Sequence, residues 1–517
     1  MLSFGSVFVS QIFECDVCAR ISFARRSANG LDRTDWGGGA EGKSMVELLK
    51  AAPVSSSEFI IVCLAFRNEK NPFFSIVLRR GSGEGRLCME ITKDVFGRAE
   101  GVDGLGRDGA AGVLEGVPCR IAIVHDWLPQ MGGAEKVLAQ ILKVFPSADV
   151  FTLLDFLSAD DRRFLARTRV STSWVQHLPF ARTRYRLYLP VMPLAVEGFD
   201  LASYPLVISS SYAVAKGVIT GPNQLHLCYC HSPVRYAWDM QEQYLMHSRR
   251  NRGMSGLVAR MILHYIRLWD SRTPNGVDSF AANSRFVARR IWKVYRRRSR
   301  IIYPPVPRGP LVSRVQPLAE RKFYVSVGRL VPYKRVDLIV EAFRRMPGRS
   351  IKIIGSGPQS ESLRARCPRN VEFLGRQPQS VVDACLSGAR AFVFAAEEDF
   401  GIAPVEAQAA GTPVIAYGRG GAQESVIDGV TGVLFGSQTP EAIVEAVERA
   451  EGIEFSSAAL KSNADRFSEE QFRREITRWV DEEWALFSSG GEAGSGDSAF
   501  DEKRESDGAL QEACCCV

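Results

Sequence analysis

The chain has 517 residues, enough for two to four domains with buried cores. Hydrophobic residues make up 46% and charged residues 24%, an ordinary globular composition, and the net charge of +7 favours anionic partners through a modest field only. No apolar run approaches the ~18 to 20 residues of a spanning helix; FIIVCLAF (59–66) is among the longest.

The opening stretch MLSFGSVFVSQIFECDVCAR lacks a basic start and reads as a poor signal peptide. Residues 1–119 carry a Gly-rich run, GRAEGVDGLGRDGAAGVLEG (97–116), and no sustained helix or strand periodicity, which predicts a poorly ordered extension. The twelve cysteines are scattered, and Cys15-x-x-Cys18 has no second pair to complete a zinc site, so no metal site is expected and a reducing, cytoplasmic compartment is.

From Arg120 the pattern changes to short apolar strands alternating with amphipathic helices. Strands are predicted at 120–127, 148–154, 205–211, 225–231 and 279–284. After the Pro-rich YPPVPRGP (303–310) the rhythm restarts, with strands at 322–330, 350–357, 370–375, 390–398 and 412–418. Continuous Val/Ile/Phe runs separated by helices predict parallel sheets covered on both faces. Two such series predict two facing, Rossmann-like doubly wound α/β domains, 120–305 and 306–487, with the ligand at strand C-terminal ends in the crevice between them. Residues 488–517 are Gly/Ser-rich and acidic, read as a disordered tail; the terminal Cys514-Cys515-Cys516-Val517 matches a prenylation box only loosely.

Within EEDFGIAPVEAQAAGTPVIAYGRGGAQE (397–424), Glu398 is expected at a strand C-terminus, Gly401 in a tight turn and Pro404 at the first position of a helix carrying Glu406. A strand, a glycine turn and a helix N-terminus suit a phosphate, which makes the two glutamates anchors rather than an acid/base pair. Glu406 is placed to hold a ribose hydroxyl, although a helix-charging role fits its position equally well. Arg329 and Lys334 in GRLVPYKR (328–335) offer two cations for a diphosphate, or a solvated face. Gly132 and Gly133 in MGGAEKV (131–137) let backbone N–H groups approach a ligand. His231, in YCHSPVRYAWD, follows another strand, and GGAQESVIDGVTGVLF (420–435) adds Gly420, Gly421 and Glu424 on a loop.

Taken together, Glu398 to Glu406 with Phe400-Gly401, Gly328-Arg329-Leu330 with Lys334, GGAQESVIDGVTG and HDWLPQMGGAEKV resemble the retaining family 4 glycosyltransferases of GT-B fold, over roughly 120–487. CHSPVRYAWD and LPFARTRYRLYLPVMPLAVEGFDL (178–201) look closer to the mannosyltransferases of bacterial O-antigen and exopolysaccharide synthesis. The resemblance implies transfer of a sugar from a nucleotide-diphosphate donor, GDP-mannose first and UDP-sugars next, with retention and without a bound metal or other cofactor. It also implies that Glu406 and Ile402 lie at the nucleotide, that Glu398 and His231 contact the donor sugar, and that Arg329, Lys334, Gly401, Gly132 and Gly133 surround the diphosphate. The acceptor would be a lipid-linked saccharide. Pro307 departs from the acidic residue that often follows PPV in such enzymes.

Two stretches, HSRRNRGMSGLVARMILHYIRLWDSR (247–272) and RRIWKVYRRRSR (289–300), interleave basic and aromatic residues. They suit an anionic surface, read here as the cytoplasmic face of the inner membrane rather than nucleic acid, or else a solvated helix face. Two other readings keep the fold: a nucleotide-sugar 2-epimerase, and a non-catalytic nucleotide-sugar sensor.

Overall fold

The computed structural model describes residues 66–68, 71–74, 76–80, 87–91, 120–247, 253–307 and 320–490. The chain divides into two units, Met1–Ala110 and Ala111–Val517. In the first, β1 (Phe66–Asn68) pairs antiparallel with β2 (Asn71–Phe74), and β3 (Ile76–Arg80) pairs antiparallel with β4 (Leu87–Ile91). The expectation of a poorly ordered extension otherwise falls outside the described residues, as does the expected tail beyond 490.

The second unit holds two parallel sheets. One has seven strands: β5 (Ile121–His125), β6 (Asp149–Thr152), β7 (Val170–Thr172), β8 (Leu206–Ser211), β9 (Leu225–Cys230), β10 (Ser279–Ala282) and β11 (Arg300–Ile301). Their order is β11-β10-β9-β8-β5-β6-β7. The other has six: β12 (Phe323–Val327), β13 (Ser350–Ile354), β14 (Val371–Gly375), β15 (Ala389–Phe394), β16 (Val414–Tyr417) and β17 (Gly432–Phe435), in the order β14-β13-β12-β15-β16-β17. Each sheet winds outward in both directions from its first strand, so the switch points lie between β5 and β8 and between β12 and β15. This is the doubly wound α/β architecture expected.

All ten predicted strands are present; several are buried on both faces, as at Ile121–His125 and Leu206–Ser211, while β14 is mostly half-buried. Three further strands carry weaker signals. β7 is the half-buried Val-Ser-Thr of a sheet edge, β11 has two residues, and β17 opens with Gly432, where a side chain would run into the Val414 carbonyl at 2.0 Å. The sequence reading places 420–435 on a loop, whereas the structure makes its last four residues the strand β17.

Five helices position the crevice: α1 (Gly133–Val144), α2 (Gly253–Arg272), α3 (Arg285–Tyr295), α4 (Ile402–Ala409) and α5 (Glu469–Ser488). Helix α5 follows the second sheet in sequence yet completes the core of the first. Ser468 caps its start by accepting from the Gln471 N–H, and Phe472, Ile476, Trp479 and Val480 fall on one face. They pack with Leu138, Ile141, Leu227 and Tyr229, and Trp479 Nε1 donates to Ser279 Oγ at 3.1 Å. Trp479 is fully buried.

A charged pair is sealed in the same domain. Lys216 Nζ donates to Asp270 Oδ1, while Trp238 Nε1 (2.7 Å) and Tyr295 Oη (3.0 Å) donate to Asp270 Oδ2. The pair ties the 213–217 loop to α2 and α3; its truncation would leave a buried charge unpaired. Gly217 gives that loop its close approach, since a Cβ there would sit 2.2 Å from the Trp269 ring.

Because α5 fills the first core with the fully buried Trp479 as its largest side chain, Trp479→Ala is expected to lower stability by about 3 to 5 kcal/mol. Urea unfolding followed by circular dichroism measures this; an unchanged midpoint would mean that α5 is not part of the first core.

Candidate functional site

The two switch points open onto one crevice. On the second-domain side, Ser326, Gly328, Arg329, Lys334, Phe394 and Ala395 line a hollow beyond β12. The loop 395–401 then carries Glu398 to α4. Strand β15 ends at Phe394, so Glu398 lies four residues past it in a loop, not on the strand end expected. Helix α4 begins at Ile402, two residues before Pro404, and its N-cap is Gly401 at φ +81°, a left-handed conformation that favours glycine. No side chain caps α4, so its first N–H groups point into the crevice unmatched by a cap.

Gly420 and Gly421 hold this loop from behind. Gly420 has φ +71°, and a Cβ on it would lie 2.4 Å from the Glu398 carbonyl; Gly421 N–H donates to that carbonyl at 2.8 Å. These two glycines therefore shape the loop.

Of the predicted charged residues, Lys334 and Glu398 come together as a pair, Glu406 is taken up by another partner, and Arg329 is left open. Lys334 Nζ pairs with Glu398 Oε1, with Nζ 5.5 Å from the Phe394 ring centroid. Burial, and then the neighbouring Arg235 guanidinium, push the Lys334 ammonium down to about 7, against the Glu398 carboxylate, which favours its charge. Arg329 is exposed and meets no carboxylate among the described residues. Glu406, in the second turn of α4, pairs at 3.1 Å with Lys136 of α1, from the opposite domain. Gly133 faces Ile402 across the crevice, a Cβ on it lying 3.2 Å from Ile402 Cδ1. Gly132 is the N-cap of α1 in an extended conformation, and Glu135 Oε2 occupies the space where its side chain would be.

His231 follows β9 directly and is half-buried. Its Nε2 lies 2.9 Å from Ser210 Oγ, and its carbonyl accepts from Asn283 Nδ2 at 2.9 Å. Burial, with His125 adding to it, holds the imidazolium of His231 down to about 3, so the ring is neutral.

Of the residues that join the domains here, sequence reasoning singled out Glu424 as a loop residue but not Asp399, Arg235 or Arg290. Asp399, next to Glu398, pairs with Arg235 at 3.2 Å and with Arg290, which also pairs with Asp239 at 2.7 Å. Ser284 Oγ donates to the Asp399 carbonyl at 2.6 Å. Glu424, from the glycine loop, accepts from the N–H groups of Arg285 (2.7 Å) and Phe286 (2.9 Å), capping α3 of the other domain. Asp126 accepts four backbone N–H groups of Tyr212–Ala215 at 2.6 to 2.9 Å, fixing the loop after β8. Asp126 and His125 sit in the HDW stretch, so the signal was an acidic and a basic residue closing a central strand.

The two basic stretches also read differently in place. Arg260 pairs with Glu242, Arg267 bonds the Ala237 carbonyl and Gln241, and Arg272 pairs with Glu197. Arg290 serves the crevice, Arg297 bonds the carbonyls of Pro274 and Asp278, and Arg300 pairs with Glu482. What α2 presents outward is an apolar stripe: Met254, Leu257, Met261, Tyr265 and Leu268, spaced three and four apart. Trp269 Nε1 of the same helix donates to Glu197 at 2.8 Å. Among the described residues no helix is long and apolar enough to cross a membrane, and no group of three or more His, Cys, Asp or Glu side chains is placed to hold a metal ion.

Residues 313–467 match the family model Glycosyl transferases group 1. The chain is 33% identical over 147 residues to a GDP-mannose-dependent alpha-(1-6)-phosphatidylinositol monomannoside mannosyltransferase of Mycolicibacterium smegmatis, covering 25% of this chain and 38% of that protein. It therefore spans about two fifths of the length of that curated relative. It is 23% identical over 376 residues to alpha-1,3/1,6-mannosyltransferase alg2 of Schizosaccharomyces pombe, covering 61% of this chain and 71% of that one. The fold is similar to sucrose-phosphate synthase from Thermosynechococcus elongatus, with a TM-score of 0.53, 19% identity, and 71% of this chain and 99% of the other covered. Residues 313–467 are thus similar to the group 1 glycosyltransferases, and the two doubly wound sheets share the fold of the solved structure named above.

Proposed function

We propose that this protein transfers a hexose, mannose from GDP-mannose as the first candidate, onto a hydroxyl of a lipid-linked saccharide with retention at the transferred carbon. One observation carries the reading: at the switch point between β12 and β15, Lys334 beside Arg329 pairs with Glu398 ahead of the uncapped start of α4, and Glu406 of that helix meets Lys136 of the other domain. The two mannosyltransferase relatives, one of them GDP-mannose-dependent by name, support the donor.

In this reading the diphosphate lies between α4 and the Arg329–Lys334 loop. Ribose hydroxyls replace the Lys136 ammonium on Glu406, and the diphosphate draws Lys334 from Glu398. The bond from the sugar carbon to the diphosphate oxygen breaks, and a bond to the acceptor oxygen forms on the same face. The acceptor hydroxyl's proton passes to the departing phosphate oxygen. Charge building on that phosphate is met by Arg329, Lys334 and the helix N-terminus, protein cations doing what a metal ion would otherwise do. Removing Lys334 is then expected to cost about 2 to 4 kcal/mol of transition-state stabilisation.

The acceptor's lipid gives the α2 stripe an occupant. The reading places Met254, Leu257, Met261 and Leu268 in the interface of an anionic bilayer. Exposed Arg182, Arg184 and Arg186 supply the positive charge, as they meet no carboxylate among the described residues. On the cytoplasmic face of an inner membrane such docking brings the crevice to its acceptor.

Three measurements test these points. The full chain with EDTA, a lipid extract as acceptor and labelled GDP-mannose, UDP-glucose, UDP-galactose or UDP-GlcNAc should move label into lipid from one donor, and Glu406→Ala should abolish it. Donor isomerisation without transfer would instead favour an epimerase, and binding without turnover a sensor.

Since Lys334 must gain a proton to meet a diphosphate above pH 7, affinity for GDP-mannose should fall as pH rises from 6 to 9, approaching tenfold per unit above 7. Lys334→Arg should flatten that slope in calorimetric titrations, and a flat wild-type profile would remove Lys334 from the diphosphate site. Flotation with anionic vesicles at low salt should carry the protein upward, and the double substitution Leu257→Glu, Met261→Glu should prevent it. Absence of wild-type flotation would contradict membrane docking.

A further inference from the structure

Three serines close β8, and each meets a different polar partner. Ser209 Oγ lies 2.9 Å from His226 Nε2, while His226 Nδ1 lies 2.8 Å from the Gly276 carbonyl. A carbonyl only accepts, so His226 carries its proton on Nδ1 and Nε2 accepts from Ser209. Ser211 Oγ accepts the Lys216 N–H at 3.3 Å. Ser210 Oγ is shared between two imidazoles, 3.1 Å from His125 Nδ1 and 2.9 Å from His231 Nε2. The strand register produces this: His125 pairs with Ser210 across β5 and β8, and His231 follows the neighbouring strand β9.

A hydroxyl has one proton, so Ser210 donates to one ring and accepts from the other. The far end of the row decides which. His125 is 1% exposed, and its Nε2 is buried without a hydrogen-bond partner among the described residues. Glu135 Oε1, itself buried, lies 3.9 Å from that nitrogen. A carboxylate beside a buried imidazole nitrogen favours N–H there over a lone pair. His125 then holds its proton on Nε2 and accepts the Ser210 O–H at Nδ1. Ser210 in turn accepts the Nε2–H of His231, which leaves His231 Nδ1 as a bare acceptor. That nitrogen meets no partner among the described residues, on a loop whose Arg235 pairs with Asp399 across the crevice. The neutral state of His231 agrees with this assignment.

We propose that Glu135, acting through His125 and Ser210, fixes His231 in its Nε2–H form, so that Nδ1 meets substrate as an acceptor and selects a group that donates, a sugar hydroxyl. The last clause rests on the crevice being the donor site; the tautomer does not. Glu135, His125 and Ser210 are positioning residues in this scheme. Gly132 belongs to it as well, since a Cβ there would lie 2.8 Å from Glu135 Oε2 and displace the carboxylate.

Long-range proton–nitrogen correlation spectra of the full chain with 15N-labelled histidine report each tautomer directly. The chain has six histidines, and the signal lost in His231→Gln assigns the one that matters. At pH 7, His231 is expected as the Nε2–H form. In Glu135→Gln the carboxamide can donate to His125 Nε2, and the row should reverse to Nδ1–H on His231. Wild-type His231 as Nδ1–H, or a tautomer unmoved in both Glu135→Gln and Ser210→Ala, would overturn the proposal. Should Glu135→Gln fail to fold, Ser210→Thr should keep the wild-type tautomer and Ser210→Ala should lose it.

The substrate arm uses GDP-mannose analogues in which each sugar hydroxyl is replaced by hydrogen or fluorine, with affinity measured by calorimetry. Fluorine accepts but cannot donate, so at one position both replacements should weaken binding at least tenfold. Fluorinated analogues that bind like the parent at every position would overturn the acceptor role. If the tautomer is as expected and no nucleotide sugar binds, the fixed histidine stands and the donor reading falls.

Discussion

The arrangement of the crevice depends on one carboxylate, Asp399, held between two guanidiniums of the other domain, Arg235 and Arg290. Neither partner is local in sequence, and all three side chains are largely withdrawn from water. Charges so placed add little net stability, because desolvation offsets most of their attraction, but they fix geometry, since any other arrangement leaves one unpaired. The consequence is positional. Asp399 adjoins Glu398 and Gly401, so the loop that carries the acidic anchor and starts α4 is set against His231 and its neighbours. The Glu424 cap on α3 reinforces the same register from the next loop.

That arrangement concentrates charge in a confined place. Lys136, Arg235, Arg329 and Lys334 face Glu398, Asp399 and Glu406, and three of the four cations are matched by a carboxylate. Arg329 alone among them stays exposed and uncommitted among the described residues, which suits it to meet an incoming anion first. The lowered affinity of Lys334 for its proton comes first from burial and then from Arg235, which Asp399 holds close by.

Much of the fold was legible in the sequence because parallel strands buried on both faces leave continuous apolar runs, as at RIAIVH and AFVF. Strand β17 was not, since its Gly432 serves a close backbone contact that only the folded chain reveals. The candidate site divides along similar lines. Glu406, Gly401 and Lys334 sit near glycines and prolines that mark a turn, and those turns lead to the crevice. Asp399, Arg235 and Arg290 carry no such local mark: their meaning lies in a contact between residues more than a hundred positions apart. The arginines at 260, 267 and 297 misled in the opposite sense, for charge density in sequence says nothing about internal partners. Once those are taken up, the outer face of α2 is apolar rather than basic.

A crystal structure with GDP-mannose bound tests the nucleotide-sugar reading most directly. It should place the ribose hydroxyls on the Glu406 carboxylate with Lys136 displaced, the diphosphate between Arg329, Lys334 and the start of α4, and the sugar between Glu398 and His231. A nucleotide bound elsewhere, with the Lys136–Glu406 and Lys334–Glu398 pairs intact, would contradict it.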